Sequence, residues 1–243
     1  MFAHGLSIVL TLAATLAAGH PISASNGPLP TFGELLKRHH IQLTQPALVD
    51  ALKNADPEVR YLASQKLAED KATETIPAIK DALAVEKVPS TRMNIAFALA
   101  ELGESTGFDI LEDNCRNRDL GPGIRARSAE YMLRLDRESA ICLNAVLDVL
   151  QTAGDGYRAE AASLLPRFHN PSAEESEEVF VTLVRALHAS GVSVRLEAGR
   201  SLADLGDRRA IPELHDAVAS EQDQGIRQQL EQDLKLLQEK MRR

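Results

Sequence analysis

Arginine recurs along this chain as Arg60, Arg92, Arg125, Arg158, Arg195 and Arg227, at intervals of 32, 33, 33, 37 and 32 residues. A row of guanidinium groups offers two kinds of chemistry. Turned outward, planar forks of this type bind polyanions through paired hydrogen bonds. Turned inward, each fork can satisfy carbonyls left without partners at a helix end, together with an acidic group of its own or the next unit. Asp56, Glu86, Asp119, Asp155 and Asp223 each lie three to six residues before one of these arginines. That favours the inward reading, in which the row stitches a stack together.

No other constellation competes with the arginines. His39, His40, His169, His188 and His215 stand in no metal-ligand spacing with cysteines or with carboxylates. The adjacent His39 and His40 read as solvated. There is no Gly-x-Ser-x-Gly and no glycine-rich phosphate loop. No catalytic residue, metal or cofactor is therefore expected.

The elements that position the arginines follow from the pattern around them. Segments 57–69, 89–103, 122–135, 155–168, 192–206 and 224–237 share a register. Small residues cluster three and four positions after the Arg. A large apolar residue follows at seven: Leu67, Leu99, Met132, Leu165, Leu202 and Leu234. This is helical spacing on one face. A second amphipathic stretch precedes each segment, at 46–54, 75–86, 107–117, 139–151, 173–189 and 210–220. Each unit thus reads as an A helix, a short turn and a B helix, and neither apolar face can be buried without neighbouring units.

The punctuation agrees. Asp56-Pro57 is a cap followed by proline at the first helical position. Gly103 and Gly206 follow B helices, where a left-handed residue ends the helix. Thr31 with Glu34, and Ser172 with Glu175, have capping-box spacing. Pro166 should stop the fourth B helix early, and the 37-residue interval predicts a longer fifth A helix. The last helix carries Leu230, Leu234, Leu237 and Met241 on one face, as a terminal unit requires.

These units resemble the repeats of the HEAT/armadillo superfamily, including those of bilin-lyase type. The fullest match is VSVRLEAGRSLADLGDRRAIPELHDAVAS, residues 192–220. The resemblance spans roughly residues 44–240 and implies an all-α fold, a right-handed α-solenoid of about six helical hairpins. In such families the repeated Arg is usually structural and the B helices line the concave side. Some enzymes of the superfamily hold a di-iron centre through His-Glu pairs. This chain has no His-Glu dipeptide, and His215-Asp216 is the nearest approach. Parallel A helices in the Arg register would set Cys115 and Cys142 about six residues, or about 9 Å, apart. That exceeds the reach of a disulfide, so two separate thiols are expected.

Composition narrows the partners. Hydrophobic residues make up 44% of the 243 and aromatics only 4%, which suits close-packed helices. The net charge of -8 argues against nucleic acid and anionic membranes as partners. Residues 6–18 form an apolar run of signal-peptide length, followed by small residues that allow cleavage after Gly19 or Ala24, although the preceding MFAHG carries no Lys or Arg. The expected organisation is a signal peptide at 1–24, a linker and short cap helix at 25–43, and the solenoid at 44–243. The mature chain should be periplasmic or secreted, monomeric, and not inserted in a membrane.

The remaining candidate surface is the outward side of the B helices. Counting from each Arg, it includes Tyr61, Met93, Phe97, Arg127, Arg134, Glu160, Arg167, Glu197, Arg200 and Asp204. Tyr61, Met93 and Phe97 would offer apolar anchors, and the arginines would meet acidic groups of a protein partner. The expected function is an exported, non-enzymatic scaffold. The alternative is a lyase-like enzyme or enzyme subunit of the same repeat class.

Overall fold

A computed structural model describes residues 29–242, and the expected leader at 1–24 lies outside them. The described chain contains helices and no strand. Helix α1 (Phe32–Arg38) starts at the Thr31/Glu34 capping box. Six hairpins follow: α2 (Gln45–Ala51) with α3 (Pro57–Glu69), α4 (Ile76–Val85) with α5 (Pro89–Glu101), α6 (Ser105–Arg116) with α7 (Pro122–Arg134), α8 (Ala140–Thr152) with α9 (Asp155–Leu164), α10 (Ala173–Ala186) with α11 (Val192–Leu205), and α12 (Ala210–Ser220) with α13 (Gln224–Lys240). This is an α-solenoid.

The local signals act as their chemistry demands. Asp56 accepts a hydrogen bond from the backbone N–H of Glu58 and opens α3, while the Ser172/Glu175 box opens α10. Gly103 and Gly206 take φ of 85° and 72° after α5 and α11. Lys71 and Asp136 take the same left-handed turn after α3 and α7 without being glycine. After Leu164 the chain tightens into a 3-10 turn at Leu165–Arg167, as Pro166 requires. Helix α10, with 14 residues, is the longest of the A helices.

Packing divides the helices into two layers. Each of the B helices α3, α5, α7, α9, α11 and α13 packs against the next, whereas α2 and α4, or α10 and α12, approach each other far less closely. Towards both ends the B helices are thus the more closely packed layer, whereas in the middle α6 and α8 pack at least as closely as α5 with α7 or α7 with α9. The B helices are hemmed in by their own A helix and by both neighbours. In α5 every residue from Ile95 to Ala100 is buried. At Gly107 of α6 a side chain would run into the backbone of Ala96 and Ala100, so glycine is what lets α6 lie directly on α5.

One expectation is overturned. Cys115 and Cys142 form a disulfide, with Cα atoms 5.0 Å apart. The A helices do not keep the Arg register. Ser139 donates to Glu112 and Cys142 meets Cys115, so α8 lies beside α6 at an offset of 27 residues instead of 33. Sliding the helix by those six residues removes the expected gap of about 9 Å.

Candidate functional site

The arginine row faces inward at five of its six positions. Arg60 donates to the carbonyls of Asn54 and Ala55 at 2.7 and 3.0 Å, and clasps Glu86 through Nε and Nη2 at 2.6 and 2.9 Å. Arg195 repeats this with the carbonyls of Ala189 and Ser190 and with Glu221. Arg125 bonds the Cys115 carbonyl and Asp148, Arg158 the Leu150 carbonyl and Asp155, and Arg227 the Glu221 carbonyl. Arg92 makes no such bond among the described residues. The Glu86 side chain is 1% exposed and also accepts the backbone N–H groups of Lys87 and Val88. Hydrogen bonds from Arg60 hold its carboxyl below the usual range, and Arg195 does the same to Glu221. In these two units the carboxylate partner lies 26 residues after the Arg, whereas Asp148 lies 23 residues after Arg125. Of the acids expected to partner the row, Asp155 bonds Arg158 of its own unit and Glu86 bonds Arg60 from the next unit, both as anticipated, whereas Asp56 and Asp223 cap helices.

The B-helix face differs from its sequence-based outline. Met93 and Phe97 are 5% and 2% exposed and belong to the core, so neither is an apolar anchor. The reason is the crowding of the B helices: in α5 the positions one and five after the Arg are closed, whereas the position nine after the Arg stays open or half-open in every unit. Tyr61 is half-buried against Phe32. Phe97 stacks on Tyr131 with ring centroids 4.0 Å apart, and the exposed guanidinium of Arg134 lies 4.8 Å above Phe97.

Polar side chains link the B helices to one another. Gln65 donates to the Asn94 carbonyl, and the Tyr131 hydroxyl donates to Asn94 Oδ1, joining α3, α5 and α7. Arg127 joins α7 to α9 by pairing with Glu130 and Glu160 at 2.6 and 3.0 Å. Arg167 and Glu197 are half-buried, and Arg134, Arg200 and Asp204 are exposed. Burial raises the carboxyl groups of Glu101 and Glu160, against the lowering influence of Arg134 and Arg127 respectively. Asn94, Glu101, Glu130 and Tyr131 were absent from the sequence-based surface. The pattern holds a signal for some of them, since Asn94 and Glu101 lie two and nine after Arg92.

Two further features lie off this face. His39 sits between Asp56 and Glu58, with opposite ring nitrogens 4.0 and 3.9 Å from the two carboxylates. Both carboxylates are open to water, as in a surface ion-pair cluster. A cleft of about 600 Å³ separates α2 from α4 and is lined by Leu52, Ala78, Ala82 and Val85. No helix among the described residues is long and apolar enough to cross a membrane.

The family model for HEAT repeats matches residues 45–134 and 143–235. No curated protein sequence matches the chain. Among solved structures, human deoxyhypusine hydroxylase in complex with glycerol is similar at 17% identity and a TM-score of 0.43, over 80% of this chain and 73% of that one. The complex of CpcE and CpcF of phycocyanin lyase from Nostoc sp. PCC7120 is similar at 17% identity and a TM-score of 0.39, over 93% and 98% of the respective chains. Likeness at this level carries no functional argument.

Proposed function

Because this chain belongs to the HEAT-repeat family, whose stacked hairpins build a surface larger than any single unit needs for its own core, we propose that it is an exported, non-enzymatic scaffold that binds a protein partner through its concave B-helix face. The observation that carries the reading is a division of labour among the arginines. Those at the hairpin turns are consumed in holding the stack, apart from Arg92. Arg134, Arg167 and Arg200 on the concave side have no ion pair among the described residues, and Arg134 is held in place by Phe97 and Tyr131. A charged group positioned by packing and left unpaired is suited to a partner.

Export is supported by the Cys115–Cys142 bridge, since disulfides persist in oxidising compartments. The chain acts as a single copy, with rigidity as its mechanism: the partner meets a preformed surface and little ordering cost is left for binding.

Photo-crosslinking in the native cell tests this. A photoreactive residue in place of Glu197 should capture one protein, and the same residue in place of Val85, on the outer layer, should not. Capture from Val85 alone would overturn the reading, as would co-purification of a stoichiometric chromophore or metal.

A further inference from the structure

On the premise that the concave face is the binding surface, we infer that its ligand is a short acidic segment in extended conformation, with two carboxylates about three residues apart, received by Arg134 and Arg167. The two arginines occupy the same place in consecutive repeats, nine residues after Arg125 and Arg158. Arg134 ends α7, and Arg167 ends the 3-10 turn that follows α9. Neither has a hydrogen-bonded or ion-paired partner among the described residues. Their neighbour Arg127 is engaged by Glu130 and Glu160.

Arg134 is oriented before any ligand arrives. Its guanidinium carbon lies 4.8 Å from the Phe97 ring centroid and 5.8 Å from that of Tyr131. The rings, themselves stacked and buried, cover one face of the fork and leave its N–H edges to solvent. A planar fork fixed in this way loses little freedom on binding a carboxylate.

The length of the ligand follows from what flanks the pair. The equivalent position carries Glu69 and Glu101 in the two preceding repeats and Asp204 in the next. The positive strip is therefore two repeats wide, and a longer acidic tract would run onto carboxylates at either end. Neighbouring packed helices lie about 8–10 Å apart. A segment extended as a polyproline II helix has three residues per turn and advances about 3.1 Å per residue, so acidic side chains at i and i+3 lie on one face about 9 Å apart and match Arg134 and Arg167. Adjacent acids, or acids at twice that spacing, cannot engage both.

The test uses the full chain and labelled Gly/Ser peptides carrying Glu-x-x-Glu, two adjacent glutamates, glutamates at twice the spacing, or Gln-x-x-Gln, with a single-stranded oligonucleotide as a further probe. Glu-x-x-Glu should bind best, and its binding should weaken with salt. Arg134→Gln and Arg167→Gln should each weaken it about tenfold. Arg134→Lys, which keeps the charge and loses the fork, should also weaken it while the thermal melt stays unchanged. Equal binding at all spacings, no binding, unaltered binding by both Gln variants, or preference for the oligonucleotide would each overturn the inference. If the inference fails while crosslinking from position 197 persists, only the acidic motif is lost. If both fail, the concave face is lost as well.

Discussion

Arg60 reaches past its own hairpin to clasp Glu86, 26 residues further along, and Arg195 does the same to Glu221. Each carboxylate in turn accepts the backbone N–H groups that follow it, at the approach to the next B helix. One buried ion pair thus ends one turn and begins the next. Replacing Arg60 by Gln strands the Glu86 charge and should cost about 3 kcal/mol. Arg92→Gln should cost far less, because Arg92 lacks such a partner. Denaturant unfolding of the two variants tests this, and equal losses would refute the stitching role.

The same pairs set a pH dependence. The carboxyl groups of Glu86 and Glu221 titrate lower in the folded chain than their ordinary value of 4.5. The unfolded chain therefore binds more protons between the two values. The stability these groups contribute is fully present above pH 4.5 and is lost as pH falls through their folded values. Glu86→Gln should flatten that part of a stability-versus-pH curve, and an unchanged slope would count against the pairing.

Asp233 has the opposite sign. It is buried, its Oδ2 has no hydrogen-bond partner among the described residues, and burial raises its carboxyl above the ordinary value of 3.8. The folded chain then binds the extra proton, so this group destabilises increasingly as pH rises through its folded value. Asp233→Asn should stabilise the protein at pH 7 by about 1 kcal/mol. The gain should shrink towards pH 4, and thermal melts at both pH values would show it.

The Cys115–Cys142 bridge closes a loop of 27 residues in sequence separation. On the chain-entropy account a loop of this size is worth about 3.5 kcal/mol. Reduction should lower the melting temperature of the native chain and leave that of a Cys115→Ser, Cys142→Ser variant unmoved. Two free thiols in the protein isolated from its own cell would contradict the bridge.

Phe97 separates core from contact surface. Truncation to Ala should cost about 3 kcal/mol through the lost burial and the cavity left beneath Tyr131 and Arg134. A melt indistinguishable from the parent would return Phe97 to the candidate contact surface.

Much of the fold was legible in local chemistry. Six Arg-marked B helices, the two capping boxes, the glycine C-caps and the stop at Pro166 all depend on interactions within a few residues. The candidate site was legible only in part. Arg127, Arg134, Arg167, Glu197 and Arg200 occupy open or half-open positions, whereas Met93 and Phe97 are core. A helical period identifies faces but does not reveal how many neighbours close on each face.

The repeated arginines thus announced the stack, since a residue needed once per hairpin must recur once per hairpin. The sequence by itself determined the number of hairpins, their helix order and their stops. Tertiary structure alone decided which carboxylate each arginine takes, that α8 slides along α6 far enough to join Cys115 to Cys142, and which side of each B helix stays open. These depend on the offset and curvature between repeats. That geometry is a sum of many side-chain contacts between layers, and no single spacing in the chain encodes it.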